Sequence, residues 1–220
     1  MKKDLTRDYY SLKATKYGIR TARLNQSMHI LQTFTNVKIL DIGCATGYLG
    51  KLLKHRNNYV VGVDISEAAV RQAKKVLDHA YALDIETEML PKSMTFDLII
   101  MTEVIEHLFQ PKDSLKKLLR HLKPNGRVFL STPNFLYWGN RLQFLLGHFS
   151  YSAQGVFDES HIHFFTYTTI RKLLEDLGLN IVEENHIVGG RIGRFLAVFF
   201  PGAFASHFIL LARKRGSLID

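Results

Sequence analysis

Three side chains with acid–base chemistry crowd into five positions: Glu103, Glu106 and His107, in the run Glu103-Val104-Ile105-Glu106-His107. If this run turns helically, the spacing brings all three together. An imidazole near its usual pKa of about 6.5 can take a hydroxyl proton at neutral pH. With a histidine from the later His161-Ile162-His163 stretch, the same groups would form a two-carboxylate, two-imidazole donor set for a divalent ion. A third reading makes His107 structural. We take His107 as base or acceptor-orienting group, with Glu103 beside it and no metal.

A second set has the types and spacing of a ligand cradle. Val37 to Leu49 reads VKILDIGCATGYL. Val37, Ile39, Leu40 and Ile42 form the apolar run of a strand buried on both faces, with Asp41 at its carboxyl end. Gly43 and Gly47 then break the chain into a loop. Leu49, Leu52 and Leu53 follow at helical spacing. A side-chain-free Gly43 allows a sharp turn and a ligand lying against the main chain. Tyr59 to Val63 form a second apolar run, closed by Asp64, which stands 21 positions after Gly43. At that spacing an acid at the end of the second strand reaches ribose hydroxyls, accepts from a cis-diol and repels a 2′-phosphate. The alternative is that Asp64 caps the next helix.

The remaining elements must hold these two sets at one sheet edge. Leu24, Met28 and Leu31 predict a helix within an N-terminal cap, residues 1–34. Ser66 caps a helix running to Asp78. Ala80–Leu83 predicts a third strand, ending at Asp84, and Phe96–Met101 a fourth, ending at the acidic run. Lys112–Leu122 predicts an amphipathic helix with its leucines inward, Pro124-Asn125-Gly126 a turn and Arg127–Ser131 a fifth strand. Thr168–Leu177 predicts a helix stopped by Gly178, Leu179–Glu183 a sixth strand and Ser206–Ala212 a last, antiparallel one. Phe135 to Phe165 fits no repeating unit. It is dense in aromatics and histidines, including Tyr137 and Trp138, and sits after a strand's ligand end. It reads as a substrate lid over residues 135–165, or as a satellite core.

ILDIGCATGYLG followed by VVGVDIS resembles the first two motifs of class I S-adenosylmethionine-dependent methyltransferases. Ala45 stands where that family usually has its middle glycine, which should narrow the loop slightly. Dinucleotide oxidoreductases space their glycines differently. The resemblance runs from about Val37 to Arg213. It implies one α/β domain over residues 1–220, a doubly wound Rossmann-like sheet of seven strands in the order 3-2-1-4-5-7-6 with the last antiparallel. It implies S-adenosylmethionine as cofactor, held by Asp41, Gly43, Cys44, Ala45, Gly47, Tyr48, Asp64 and Ile65, by Asp84 and Ile85 at the adenine, and by Glu103. In similar enzymes an N-terminal aromatic segment closes over the cofactor; Tyr9, Tyr10 and Tyr17 either do this or pack on the sheet. EVIEH resembles ubiquinone-type small-molecule O-methyltransferases. PNFLYWGNRLQFLLG with the later His-x-His-Phe resembles MetW-type proteins, whose fourth motif usually lacks EVIEH.

The function implied is methyl transfer to oxygen on a small-molecule acceptor, with Tyr10, Tyr137, Trp138, His161 and His163 toward the acceptor. Two rivals are a regulatory partner protein that keeps the fold and a metal-assisted RNA ribose methyltransferase.

Bulk composition sets limits. With 29 Lys and Arg against 20 Asp and Glu, the formal charge is +9. The basic residues are scattered in short pieces and no aromatic-rich RNA-binding motif appears, which argues against nucleic acid. One cysteine, Cys44, excludes an internal disulfide framework and fits a reducing, cytoplasmic setting. The start has no apolar core, so it is not read as a secretory signal. Pro201-Gly202 interrupts the apolar segment 195–204 well short of the ~20 residues a membrane span needs. That segment reads as a connection between strands, or as a patch touching a membrane or partner.

Overall fold

The computed structural model describes residues 21–152 and 155–214. Tyr9, Tyr10, Tyr17 and most of the expected N-terminal cap lie outside them.

The first described element, α1 (Thr21–Leu31), carries the anticipated stripe. Ile30 and Leu31 are fully buried, and Leu24 and Met28 pack against the same cluster. Strand β1 (Lys38–Ile42) leads through the glycine loop into α2 (Tyr48–Lys54), then β2 (Tyr59–Asp64). Helix α3 (Glu67–Ala73) is capped by Ser66, whose hydroxyl accepts from the Ala69 amide at 3.2 Å. It is shorter than expected: after Ala73 the chain continues in turns, although Leu77 still reaches the core. Strands β3 (His79–Ala82) and β4 (Phe96–Thr102) follow.

Helix α4 (Pro111–Leu118) starts on a proline and passes into a short 3₁₀ turn, Leu119–His121. Leu122 therefore opens β5 (Leu122–Pro133) instead of ending a helix. The Pro124-Asn125-Gly126 turn lies inside that strand as an irregularity. Leu122 pairs with Phe96 and Arg127 with Leu98, with left-handed Asn125 (φ 67°) absorbing the extra residues. The long insertion holds one helix, α5 (Trp138–Leu145). Then come α6 (Tyr167–Asp176), β6 (Leu179–Glu184), β7 (Ile187–Val188), α7 (Arg191–Phe199), α8 (Pro201–Phe204) and β8 (Ala205–Lys214). Thr166 and Thr169 form a reciprocal capping box at the start of α6.

The strands form one sheet in the order β3-β2-β1-β4-β5-β8-β6, with β7 against β8. The expected path is present; the two-residue β7 adds an eighth strand and makes the antiparallel strand β8. Pairs β1–β2, β1–β4, β2–β3 and β4–β5 are parallel, while β8 runs antiparallel to β5 and β6.

Helices cover both faces. Leu115 and Leu118 of α4 and Ile170 and Leu174 of α6 pack on one. Ile30 and Leu31 of α1, Leu49 and Leu53 of α2 and Val70 of α3 pack on the other. Phe96, Phe129 and Phe208 are fully buried, each contributing about 1.5–3 kcal/mol of transfer free energy. This burial fixes β1 and β4 side by side, so the glycine loop and the acidic run leave the sheet at the same edge.

Candidate active site

At the end of β1 the chain turns through three left-handed residues, Gly43 (φ 69°), Ala45 (φ 47°) and Gly47 (φ 82°). The middle one has a side chain, at a cost of order 1–2 kcal/mol relative to glycine. A Cβ on Gly43 would come within 2.4 Å of the Val104 Cγ2, so the loop is pressed against the start of the acidic run. The amides of Gly43 and Cys44 both donate to the Val63 carbonyl, at 2.8 and 3.1 Å. The Cys44 side chain is buried over Gly62, where a Cβ would meet its sulfur at 2.7 Å. Burial, and then the nearby Asp41 and Asp64 carboxylates, push its thiol pKa up. It is packing, not a nucleophile.

Asp64 ties this loop to β2. Its Oδ2 accepts from the Ala45 amide at 2.8 Å and its Oδ1 from the Ser66 amide at 2.9 Å. With the Ile65 amide also donating to it, the carboxylate retains acceptor capacity that a diol could use. Ser66, not Asp64, provides the helix cap. Desolvation raises the Asp64 pKa, while bonds from the Ser66, Ala45 and Ile65 amides pull it back. Asp41 is buried beneath the loop, and its Oδ2 has no hydrogen-bond partner among the described residues. Burial first, and the Asp64 charge second, raise its pKa from 3.8 to about 7. Tyr48 at the start of α2 is exposed, and Ile65 is half-buried.

Asp84 organises the turn after β3. Its Oδ1 accepts from the Glu86 amide at 3.0 Å and its Oδ2 from the Thr87 hydroxyl at 2.9 Å. Ile85 packs on the core, and with Leu83, Met89 and Lys117 it lines a shallow depression beside that turn.

The acidic run does not wind into the helical turn that would gather all three side chains. Glu103 is left-handed (φ 54°), a strained state for this residue, and only Ile105–His107 form a 3₁₀ turn. The two carboxylates therefore part company. Glu103 accepts from the Ser131 hydroxyl at 2.9 Å and lies 3.5 Å from the His207 Nε2 of β8. Glu106, buried, accepts from the Thr132 hydroxyl at 3.1 Å. Ser131 and Thr132 are consecutive on β5 and point to opposite faces of the sheet.

His107 and His161 join Glu106. The Nδ1 of His107 lies 2.9 Å from the Ser160 carbonyl, and the Nδ1 of His161 lies 2.9 Å from the Val156 carbonyl. Both Nδ1 atoms must then carry protons, which leaves Nε2 as the basic nitrogen of each ring. The rings stand edge to face, 4.7 Å apart. The His161 Nε2 is 3.9 Å from the Glu106 Oε1. One donor atom from each of Glu106, His107 and His161 lies within 4.8 Å of the others, so these three residues could hold a divalent ion. His163 turns away, its Nε2 3.2 Å from the Phe109 carbonyl. The amides of Ile162 and His163 both donate to the Glu106 carbonyl at 3.0 Å, stitching the returning arm of the insertion to the acidic run.

The insertion packs largely on itself: Phe135, Phe144, Phe149 and Phe157 make successive ring contacts of 5.3–6.2 Å. Tyr137 and Trp138 lie together at its start, with ring centroids 5.7 Å apart and Trp138 exposed.

The family model described as a methyltransferase domain matches residues 15–184. The chain belongs to the methyltransferase-domain family. Among curated relatives it is 39% identical over 106 residues to the mitochondrial ubiquinone biosynthesis O-methyltransferase of Schizosaccharomyces pombe, covering 45% of this chain and 39% of that one. It is 34% identical over 103 residues to the ubiquinone biosynthesis O-methyltransferase of Idiomarina loihiensis, covering 44% of this chain and 42% of that one. The matched segment thus spans less than half of these relatives. Among solved structures, an S-adenosylmethionine-dependent methyltransferase of Archaeoglobus fulgidus superposes with a TM-score of 0.68 at 18% identity, covering 94% of this chain and 99% of that one. The magnesium protoporphyrin IX methyltransferase of Synechocystis, solved with bound S-adenosylhomocysteine, gives 0.66 at 18% identity, covering 96% and 99%. These likenesses show that the methyltransferase-domain protein has the fold of such enzymes.

Residues around the site that sequence reasoning did not assign are Ser131, Thr132, Ser160 and His207. Ser131 and Thr132 left a trace: polar residues continuing a buried strand must find buried partners. His207 had no local signal, because it meets Glu103 only through the β5–β8 pairing.

Proposed function

We propose that this protein transfers the methyl group of S-adenosylmethionine to a hydroxyl oxygen of a small-molecule acceptor. The observation that carries the reading is His107. Its Nδ1 is held by the Ser160 carbonyl, so its Nε2 is the proton acceptor, at the sheet edge where the glycine loop opens. The loop residues fit the cofactor: the buried Asp41 Oδ2 lacks a partner among the described residues and suits a cationic ligand, and Asp64 has lone pairs for a diol. Asp84 and Ile85 border the adenine in this reading, and Glu103 walls the cofactor side instead of acting as a base. When bound, S-adenosylmethionine supplies an electrophilic methyl group on a sulfonium. His107 takes the acceptor's hydroxyl proton on Nε2, His161 supports its ring, and Tyr137 and Trp138 orient the acceptor. Alignment of the reactants contributes several kcal/mol. The curated relatives are named for O-methylation, which favours this reading over a regulatory partner or an RNA enzyme.

The test is incubation with methyl-labelled cofactor and a metabolite extract. Label should appear in a small molecule and disappear with His107→Ala. Label in RNA, or cofactor binding with no transfer to any acceptor, would overturn the proposal.

A further inference from the structure

Helix α7 is built the wrong way round for a helix covering a sheet. Among its residues with described side chains, Ala197 is the buried one, at 8% exposure, whereas Phe195 is 67% exposed, Val198 75% and Phe199 64%; Phe200, which follows, is 61% exposed. Water-facing phenylalanines on successive turns form an apolar stripe that calls for a cover. A second exposed apolar pair, Leu145 and Leu146, lies at the end of α5. Two contacts tie the start of the insertion to the chain on either side of α7. The Tyr137 hydroxyl lies 3.9 Å from where a Gly189 Cβ would stand. The buried Asn134 side chain donates to the Gly202 and Ala205 carbonyls at 3.0 and 2.7 Å.

Charge decides what the cover is. No Asp or Glu occurs between Phe135 and Phe157, or between Asn185 and Lys214. Exposed Arg194 adjoins Phe195 on α7, and exposed Arg141 lies on α5, the helix that ends in Leu145. A second copy of this chain would bring the same arginines against themselves. An anionic bilayer would accept both the phenylalanines and the arginines. No helix among the described residues is long and apolar enough to cross a membrane, so α7 would lie in the interface plane.

We propose that α7 seats the protein on anionic lipid surfaces, with Phe195, Val198, Phe199 and Phe200 entering the headgroup region and Arg194 at the phosphates.

The test is co-sedimentation of the full chain with vesicles of phosphatidylcholine alone and of phosphatidylcholine with phosphatidylglycerol. The protein should pellet with the anionic vesicles and only weakly with the neutral ones, and binding should fall with salt. Phe195→Ser and Phe199→Ser should each weaken vesicle affinity by about tenfold or more, and Arg194→Glu should weaken it again. Binding of S-adenosylhomocysteine should be unchanged in all three, which shows that they are folded. Absence of binding to the anionic vesicles, or binding undiminished in the variants, would overturn the proposal. So would a wild-type dimer that Phe195→Ser dissociates without any vesicle binding, since the cover would then be a second copy.

Discussion

Replacing Asp41 with asparagine keeps the shape of a fully buried side chain and removes its charge. Burial and the Asp64 carboxylate hold the Asp41 pKa at about 7 against 3.8 for an ordinary aspartate. Below about pH 4 the carboxyl is protonated in both folded and unfolded chains, and its full contribution to stability is present. As pH rises through about 7 the unfolded chain has already lost the proton, the folded chain is forced to lose it, and that contribution is lost. The difference in pKa, at about 1.36 kcal/mol per pH unit, corresponds to about 4 kcal/mol above pH 8. Roughly 2–3 kcal/mol of this falls between pH 5 and pH 8.5. Urea unfolding of the ligand-free protein at those two pH values is the assay. The wild type should lose stability relative to Asp41→Asn by that amount on going to the higher pH. Meanwhile the wild type, but not the variant, should bind S-adenosylmethionine more tightly as pH rises through 7, because the ionised carboxylate favours a cation. A stability gap that does not change with pH would mean that Asp41 ionises in the folded protein like an ordinary aspartate.

Three further outcomes are expected. His107→Ala should lower turnover by about 10²–10⁴-fold with cofactor affinity nearly intact, read by steady-state kinetics beside calorimetry. Tyr137→Ala with Trp138→Ala should change acceptor turnover more than cofactor affinity; equal loss of both would make the start of the insertion structural. Chelator should leave wild-type turnover unchanged. Activity lost on chelation and restored by manganese or magnesium would instead assign Glu106, His107 and His161 to a metal.

The parts of the site legible in the sequence are those set by local spacing. Asp41, the glycine loop and Asp64 come from two neighbouring strands joined by one helix, so their separation along the chain predicts their meeting in space. Neighbouring strands account for β1–β2 and β2–β3, but the return of β4 to β1 and the insertion of β8 between β5 and β6 are not set by local spacing and follow only from the family resemblance. Longer-range pairing was not legible. Glu103 was expected beside Glu106, but its left-handed backbone and its partners Ser131 and His207 take it to the other side of β5. His161 could be suspected of joining His107, yet only the hydrogen bonds from the insertion's returning arm put it there. The inward turn of Cys44 depends on the space left by Gly62, and the outward face of α7 runs against the rule that large apolar side chains point to the core.

In the proposed reading the β1 loop and Asp64 form the cofactor cradle. Titration calorimetry with S-adenosylhomocysteine tests it most directly. The wild type should bind one equivalent, and Asp64→Ala, which removes the acceptor for both the Ala45 amide and a ribose diol, should weaken binding by about 1–3 kcal/mol. No binding by the folded wild-type protein, or equal affinity in the variant, would mean that Asp64 and the β1 loop are not the cofactor cradle.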